Sequence, residues 1–229
     1  TLAVVPGHPN DFLNSDNEAQ EVSDILEHVY DLYVNDPNYG FNHPLGTEPA
    51  AAPLDIYVLD LDSGCGVACW GTPPRDYFKL DAGCIRSRYN PANQSDLQGT
   101  PLHELFHRVQ YTYDKGPEEK WSFEGSATTI QDKVYGGANS LDDDVDSSYV
   151  ERANMYLNSP NRVDYDNYGA TIAGLRYASY YAGLFWTYYM QRCGTITAEP
   201  ELGMDALVLY WEQTLLHDNV DAMDHAVQA

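Results

Sequence analysis

The chain has 229 residues, 43% of them hydrophobic and 13% aromatic, which is enough apolar matter for a substantial core and excludes a disordered polymer. Twelve basic residues stand against 35 acidic ones, a formal charge of −23 that would repel nucleic acid and anionic membranes. Such a surface suits a protein secreted into salty water or one that binds calcium, and its simplest reading is solubility alone.

The chain starts at Thr1 with neither a methionine nor an apolar leader, so any signal peptide is expected to have been removed or left out. From Glu18 to Asn35 the residues Val22, Ile25, Leu26, Val29, Leu32 and Tyr33 recur at three and four, predicting an amphipathic helix. His28 lies among acids on its wet side. Asp55 to Leu61 (DIYVLDL) predicts a strand, the Gly/Cys stretch Ser63 to Pro74 a loop, and Tyr77 to Leu80 a second strand. Arg86 to Gln98 reads as loop.

Leu102 to Tyr113 predicts a helix ended by Gly116-Pro117, and Phe123 to Val134 a second, stopped by Gly136-Gly137. The polar run Asn139 to Tyr168 reads as a long loop with a short helix near Val150 to Leu157. Ile172 to Gln191 is an aromatic-rich helical pattern, and Ala206 to Leu216 another. The chain ends at Ala229 inside a further helical pattern, as a piece of a longer secreted protein would. The predicted class is α+β: an N-terminal helix and small mixed sheet, then a mostly helical C-terminal half. The predicted organisation is a single domain over 1–229, with 1–113 as a helix/sheet subdomain and 114–229 as a helical one. No apolar run reaches the ~18 residues of a membrane span.

Cys65, Cys69, Cys84 and Cys193 are even in number, and the spacing of the first two is not the two-residue redox motif. With this composition they predict disulfides and an oxidising compartment. A zinc ion held by all four is the weaker alternative, because Cys193 is remote in sequence.

The chemistry concentrates at HELFH. Residues four apart on a helix share a face, so His103 and His107 can offer imidazole nitrogens to one ion, and Glu104 can reach a water on it. A catalytic zinc needs a third protein ligand and an open position. A third histidine six residues after His107 is excluded, because Tyr113 stands there, and the glycine which that pattern wants three residues on is Gln110. Glu124, seventeen residues after His107 in WSFEGSA, can complete the set once the chain reverses at Gly116-Pro117. The competing readings are a helix with exposed His and Glu, and a glutamate favoured at a helix start by the dipole.

HELFHRVQY followed by WSFEGSA resembles the gluzincins, the thermolysin-like zinc metallopeptidases with two histidines and one glutamate. The wider run is similar to a group of secreted bacterial metalloproteases. Its features here are LDIYVLDL, HELFHRVQYTY, WSFEGSA and YASYYAGLFWTYYMQR, and the likeness spans roughly Glu18 to Leu216. The resemblance implies zinc at His103, His107 and Glu124, with Glu104 as general base. One position departs from the thermolysin pattern: four residues after the glutamate ligand an Asp is common there, and this chain has Thr128. Asp132 or Gln110 could supply the missing support.

An oxyanion donor is expected from the aromatic helix, with Tyr181 favoured and Tyr180 the alternative; Tyr177, Tyr188 and Tyr189 share the stripe, and core packing is the simpler reading of any one of them. Arg176 could bind a substrate carboxylate or a structural Asp, and His217 is an outside candidate for the oxyanion role. His8, His43 and His225 read as surface residues. Asp142, Asp144 and Asp146, like Asp164-Tyr-Asp-Asn167, offer oxygen ligands for calcium, or form solvated acidic loops. Gly64 to Gly71 is expected to wall the cleft, with Tyr77 to Asp81 as the strand edge that pairs with peptide. The expected function is a secreted zinc endopeptidase acting on peptide or protein substrates. The alternatives are a zinc-binding scaffold serving adhesion, and a zinc amidase acting on non-protein substrates.

Overall fold

The computed structural model describes residues 2–3, 16–44, 54–61, 65–68, 77–88, 95–113, 120–135, 182–198 and 201–228. The chain forms two compact units: Thr1–Asn35 with Asn42–Lys115, and Asp36–Phe41 with Gly116–Ala229. The class is α+β, mostly helical, with a small mixed sheet among the described residues.

In the first unit, helix α1 (Asp16–Asn35) buries Val22, Ile25, Leu26, Val29 and Tyr33, the face its periodicity marks. That face packs on α3 (Ser95–Gln110), where Tyr33 meets Phe106 edge-on at 5.5 Å between ring centroids. The sheet contains β1 (Leu2–Ala3), β2 (Asp55–Leu59), β3 (Gly66–Ala68) and β4 (Tyr77–Asp81), in the order β1-β2-β4-β3. β4 pairs parallel with β2, Ile56 opposite Phe78, and antiparallel with β3, Gly66 opposite Leu80. Phe78, Leu80 and Val58 are fully buried, which explains why these short segments hold as strands.

Three expectations change here. The stretch Ser63 to Pro74 is not all loop, because it contains β3. β4 has neighbours on both sides, so Tyr77–Asp81 offers no free edge; among the described strands β3 is outermost on that side. The segment Arg86 to Gln98 is helical at both ends, in α2 (Ala82–Arg88) and the start of α3. α2 begins where Asp81 stops the strand. One carboxylate oxygen of Asp81 accepts the Cys84 amide at 2.6 Å, capping the helix, and the other accepts the Leu61 amide at 2.7 Å. α3 begins before Pro101 and carries it internally, although Gly99-Thr-Pro reads as a stop. Burial of Leu97, Leu102, Leu105, Phe106 and Val109 on one side outweighs the backbone hydrogen bond lost at the proline.

The second unit contains α4 (Lys120–Tyr135), α5 (Gly183–Cys193), α6 (Met204–Gln213) and α7 (Asn219–Gln228). α4 and α5 approach closely at Gly125, where a Cβ would come within 2.7 Å of Trp186 Cδ1 and 2.8 Å of the Ala182 Cβ. Across that contact Thr129 Oγ1 donates to the Gly183 carbonyl at 2.8 Å, and Trp186 Nε1 donates to the Trp121 carbonyl at 3.2 Å. Phe123, Trp186, Tyr210 and Trp211 interlock edge-to-face around them. The small residues of WSFEGSA therefore have a packing function: Gly125 admits Trp186, and Ser126 returns its hydroxyl to the Ser122 carbonyl.

Cys65 and Cys84 form a disulfide, as the composition led one to expect. Cys193 is a free, exposed thiol, and Cys69 lies outside the described residues. With two of the four cysteines bonded to each other, the four-cysteine zinc alternative fails. No described helix is long and apolar enough to cross a membrane.

Candidate metal centre

α3 carries HELFH in its C-terminal half, and the helix geometry puts His103 and His107 one turn apart. Their rings meet edge-on at 4.5 Å between centroids, and both residues are buried, as is Glu104. The reading of an exposed His/Glu helix face is thereby excluded. Ligand atoms of His103, His107 and Glu124 all lie within 4.8 Å of one another, the spacing of a group that could hold one metal ion. Glu124 is half-buried in the first turn and a half of α4, with Trp121 before it and the buried Phe123 beside it.

The orientation of His107 is fixed from below. Its Nδ1 lies 2.6 Å from Gln110 Oε1, wholly inside the protein. An amide oxygen only accepts, so this contact favours a proton on Nδ1, and in the neutral ring Nε2 then keeps its lone pair. Gln110 is three residues along the same helix and completely buried, so this contact depends on the local turn. Gln110 is one of the two residues expected to supply the support that an Asp at position 128 would give. Thr128 Oγ1 is buried with no hydrogen-bond partner among the described residues, and the Thr128 methyl lies over Gly183. The side chain of Asp132 lies outside the described set.

Glu104 is approached from the sheet. The α-carbon of Gly66 in β3 faces its side chain so closely that an added Cβ would stand 2.7 Å from Glu104 Oε1. Of the stretch Gly64 to Gly71, expected to wall the cleft, Gly66 lies in β3 against Glu104, and residues 64 and 69–71 lie outside the described residues. Tyr111, one turn beyond His107, stacks on its ring at 6.4 Å and 28°. Neither Gly66 nor Tyr111 is singled out by sequence reasoning. The i,i+4 spacing could have found Tyr111, whereas a glycine chosen for the room it leaves has no sequence signal.

Several other expected residues fall elsewhere. Tyr180, Tyr181, Tyr177 and Arg176 lie outside the described residues, as do His8 and the proposed calcium ligands Asp142, Asp144 and Asp146. Tyr188 is exposed, and Tyr189 is buried with its hydroxyl on the Ala206 carbonyl at 3.3 Å. Burial, then the nearby Cys193 and Asp205, push the Tyr189 phenol well above the ordinary tyrosine range, consistent with a structural role. His225 is exposed, as expected of a surface residue, and stacks face to face on His217 at 3.7 Å between centroids; His43 is half-buried and packs edge-on against Tyr30 at 5.4 Å.

Comparison with family models, curated proteins and solved structures finds no match.

Proposed function

We propose that this chain is a secreted zinc-dependent endopeptidase of the gluzincin type. The observation that carries the reading is the convergence of His103, His107 and Glu124 within 4.8 Å, with Glu104 beside the first ligand on the same helix. The donor set, two neutral imidazoles and a carboxylate, suits Zn²⁺ with one position open. Burial adds weight, because a carboxylate among buried imidazoles is costly without a compensating cation. The disulfide agrees with an oxidising, extracellular setting.

When bound, zinc supplies Lewis-acid polarisation of a peptide carbonyl and acidifies a water. The chain's own groups do the rest. Gln110 holds the His107 tautomer that leaves Nε2 free to bind. The Glu104 carboxylate accepts a proton from the attacking water and delivers it to the departing amine nitrogen. β3, outermost of the described strands on its side and in contact with α3 at Glu104, replaces β4 as the strand proposed to pair with substrate. Tyr181, or else Tyr180, is retained as the proposed oxyanion donor on the strength of the sequence alone.

Incubating wild type and Glu104→Gln with a broad peptide library tests this directly. Cleavage by wild type, with zinc retained and cleavage abolished in the variant, is the expected result. Equal inertness of the two proteins, both loaded with zinc, would favour a binding module. Cleavage confined to non-peptide amides would favour the amidase.

A further inference from the structure

We infer that Gly66 is the positioning residue for Glu104, and that the Cys65–Cys84 disulfide holds it in that role. The catalytic sense of this assignment rests on the peptidase reading above. β3 has only three residues and lies outermost among the described strands on its side, so its ladder alone is a weak tether. Its approach is held from two sides. The Asp81 amide donates to the Cys65 carbonyl at 2.8 Å, and the disulfide joins Cys65 to α2, the helix that Asp81 caps.

The residue that follows this clamp is Gly66. Among the described glycines only Gly40 and Gly203 have positive φ, so the backbone at Gly66 does not itself demand glycine. The demand is for room. A Cβ there would stand 2.6 Å from Glu104 Cγ, 2.7 Å from Oε1 and 2.8 Å from Thr100 Cγ2. The volume that any other side chain would fill is volume the Glu104 side chain uses. Glu104 is buried, so it has few alternative positions, and the bare α-carbon of Gly66 is one wall of the position it has. Two of the three colliding atoms belong to a flexible side chain, so a methyl at 66 displaces Glu104 before it disrupts the fold. The metal ligands lie on other side chains and are not pushed.

The test introduces Gly66→Ala into the full chain in the wild-type and Glu104→Ala backgrounds, alongside the Cys65→Ser/Cys84→Ser double variant. Zinc affinity is read by chelator competition, stability by thermal melting, and kcat and KM on a cleaved peptide. Gly66→Ala should bind zinc within about threefold of wild type, below the 10–100-fold expected when a ligand's own support is lost. Its kcat should fall about a hundredfold, the order expected for a reacting group misplaced by about 1 Å, with KM little changed. Its melting temperature should fall by several degrees in the wild-type background and by less than half as much in Glu104→Ala, where the colliding Cγ and Oε1 are gone. The cysteine variant should retain zinc and also lose kcat. An equal fall in melting temperature in both backgrounds overturns the assignment, as does an undiminished kcat in Gly66→Ala or the cysteine variant. If the wild type cleaves nothing, the peptidase reading fails on its own account. The melting comparison then still decides whether Gly66 sets the place of Glu104.

Discussion

Removing the acceptor beneath His107 should weaken metal binding without touching a ligand. Gln110 Oε1 lies 2.6 Å from His107 Nδ1, and Gln110 is 0% exposed, so water cannot easily take its place. Gln110→Leu keeps the volume roughly constant and leaves a buried N–H with nothing to donate to. The imidazole then loses its fixed tautomer, part of its basicity, and its orientation towards the ion. Loss of such a partner commonly lowers metal affinity 10–100-fold. At about 1.4 kcal/mol per decade that is about 1.4–2.8 kcal/mol. By mass action, the stabilisation that saturating zinc gives against unfolding should shrink by the same amount. Chelator competition at fixed pH gives the dissociation constant, and paired melts with and without zinc give the second reading. Gln110→Glu, which keeps an acceptor in place, should retain zinc far better than Gln110→Leu. If Gln110→Leu binds zinc as tightly as wild type, Nδ1 is not what orients this ligand, and the site as described is wrong.

Two further outcomes concern the second unit. Gly203 has a φ of 73° and a Cβ there would run into the Met190 carbonyl, a backbone group that cannot rotate away. Gly203→Ala should therefore cost about 2 kcal/mol or more, lowering the melting temperature by about 4–8 °C with zinc binding unchanged; a change under about 1 °C would refute the packing. Burial would raise the Asp205 carboxyl, but hydrogen bonds from the Thr195 side chain and from the Thr195, Ile196 and Ala206 amides outweigh it and hold the group below the ordinary Asp value. A depressed carboxyl contributes stability above its unfolded pKa and loses it as pH falls through the folded one. The melting difference between wild type and Asp205→Asn should then be full near pH 6 and shrink below about pH 4. A difference that stays constant across that range would contradict the hydrogen bonding.

Much of this architecture is legible in the sequence, for identifiable reasons. α1 declares itself because its buried residues recur at helical spacing, and HELFH with Glu124 because metal chemistry restricts both residue type and offset. The start of α3 is hidden because Gly99 and Pro101 are local breakers, and burial of Leu97 and Leu102 overrides them. β3 is hidden because three residues including a glycine carry no alternation, and it exists through pairing with β4 and the bond at Cys65. The start of α2 is signalled by Asp81, whose carboxylate caps the Cys84 amide, because an Asp that ends a strand also serves as a helix cap. The two neighbours of β4 are hidden because strand order is not written in any one segment. Gln110 was legible only as an alternative, since its role depends on which way a buried amide points.

The most direct test of the metal centre is zinc K-edge X-ray absorption on the purified, zinc-loaded chain. About one zinc per molecule is expected, with nitrogen and oxygen neighbours at about 2.0–2.1 Å and multiple scattering from two imidazoles. The signal should lose one imidazole in His103→Ala. A sulfur shell at about 2.3 Å, or a protein that takes up no zinc, would contradict it.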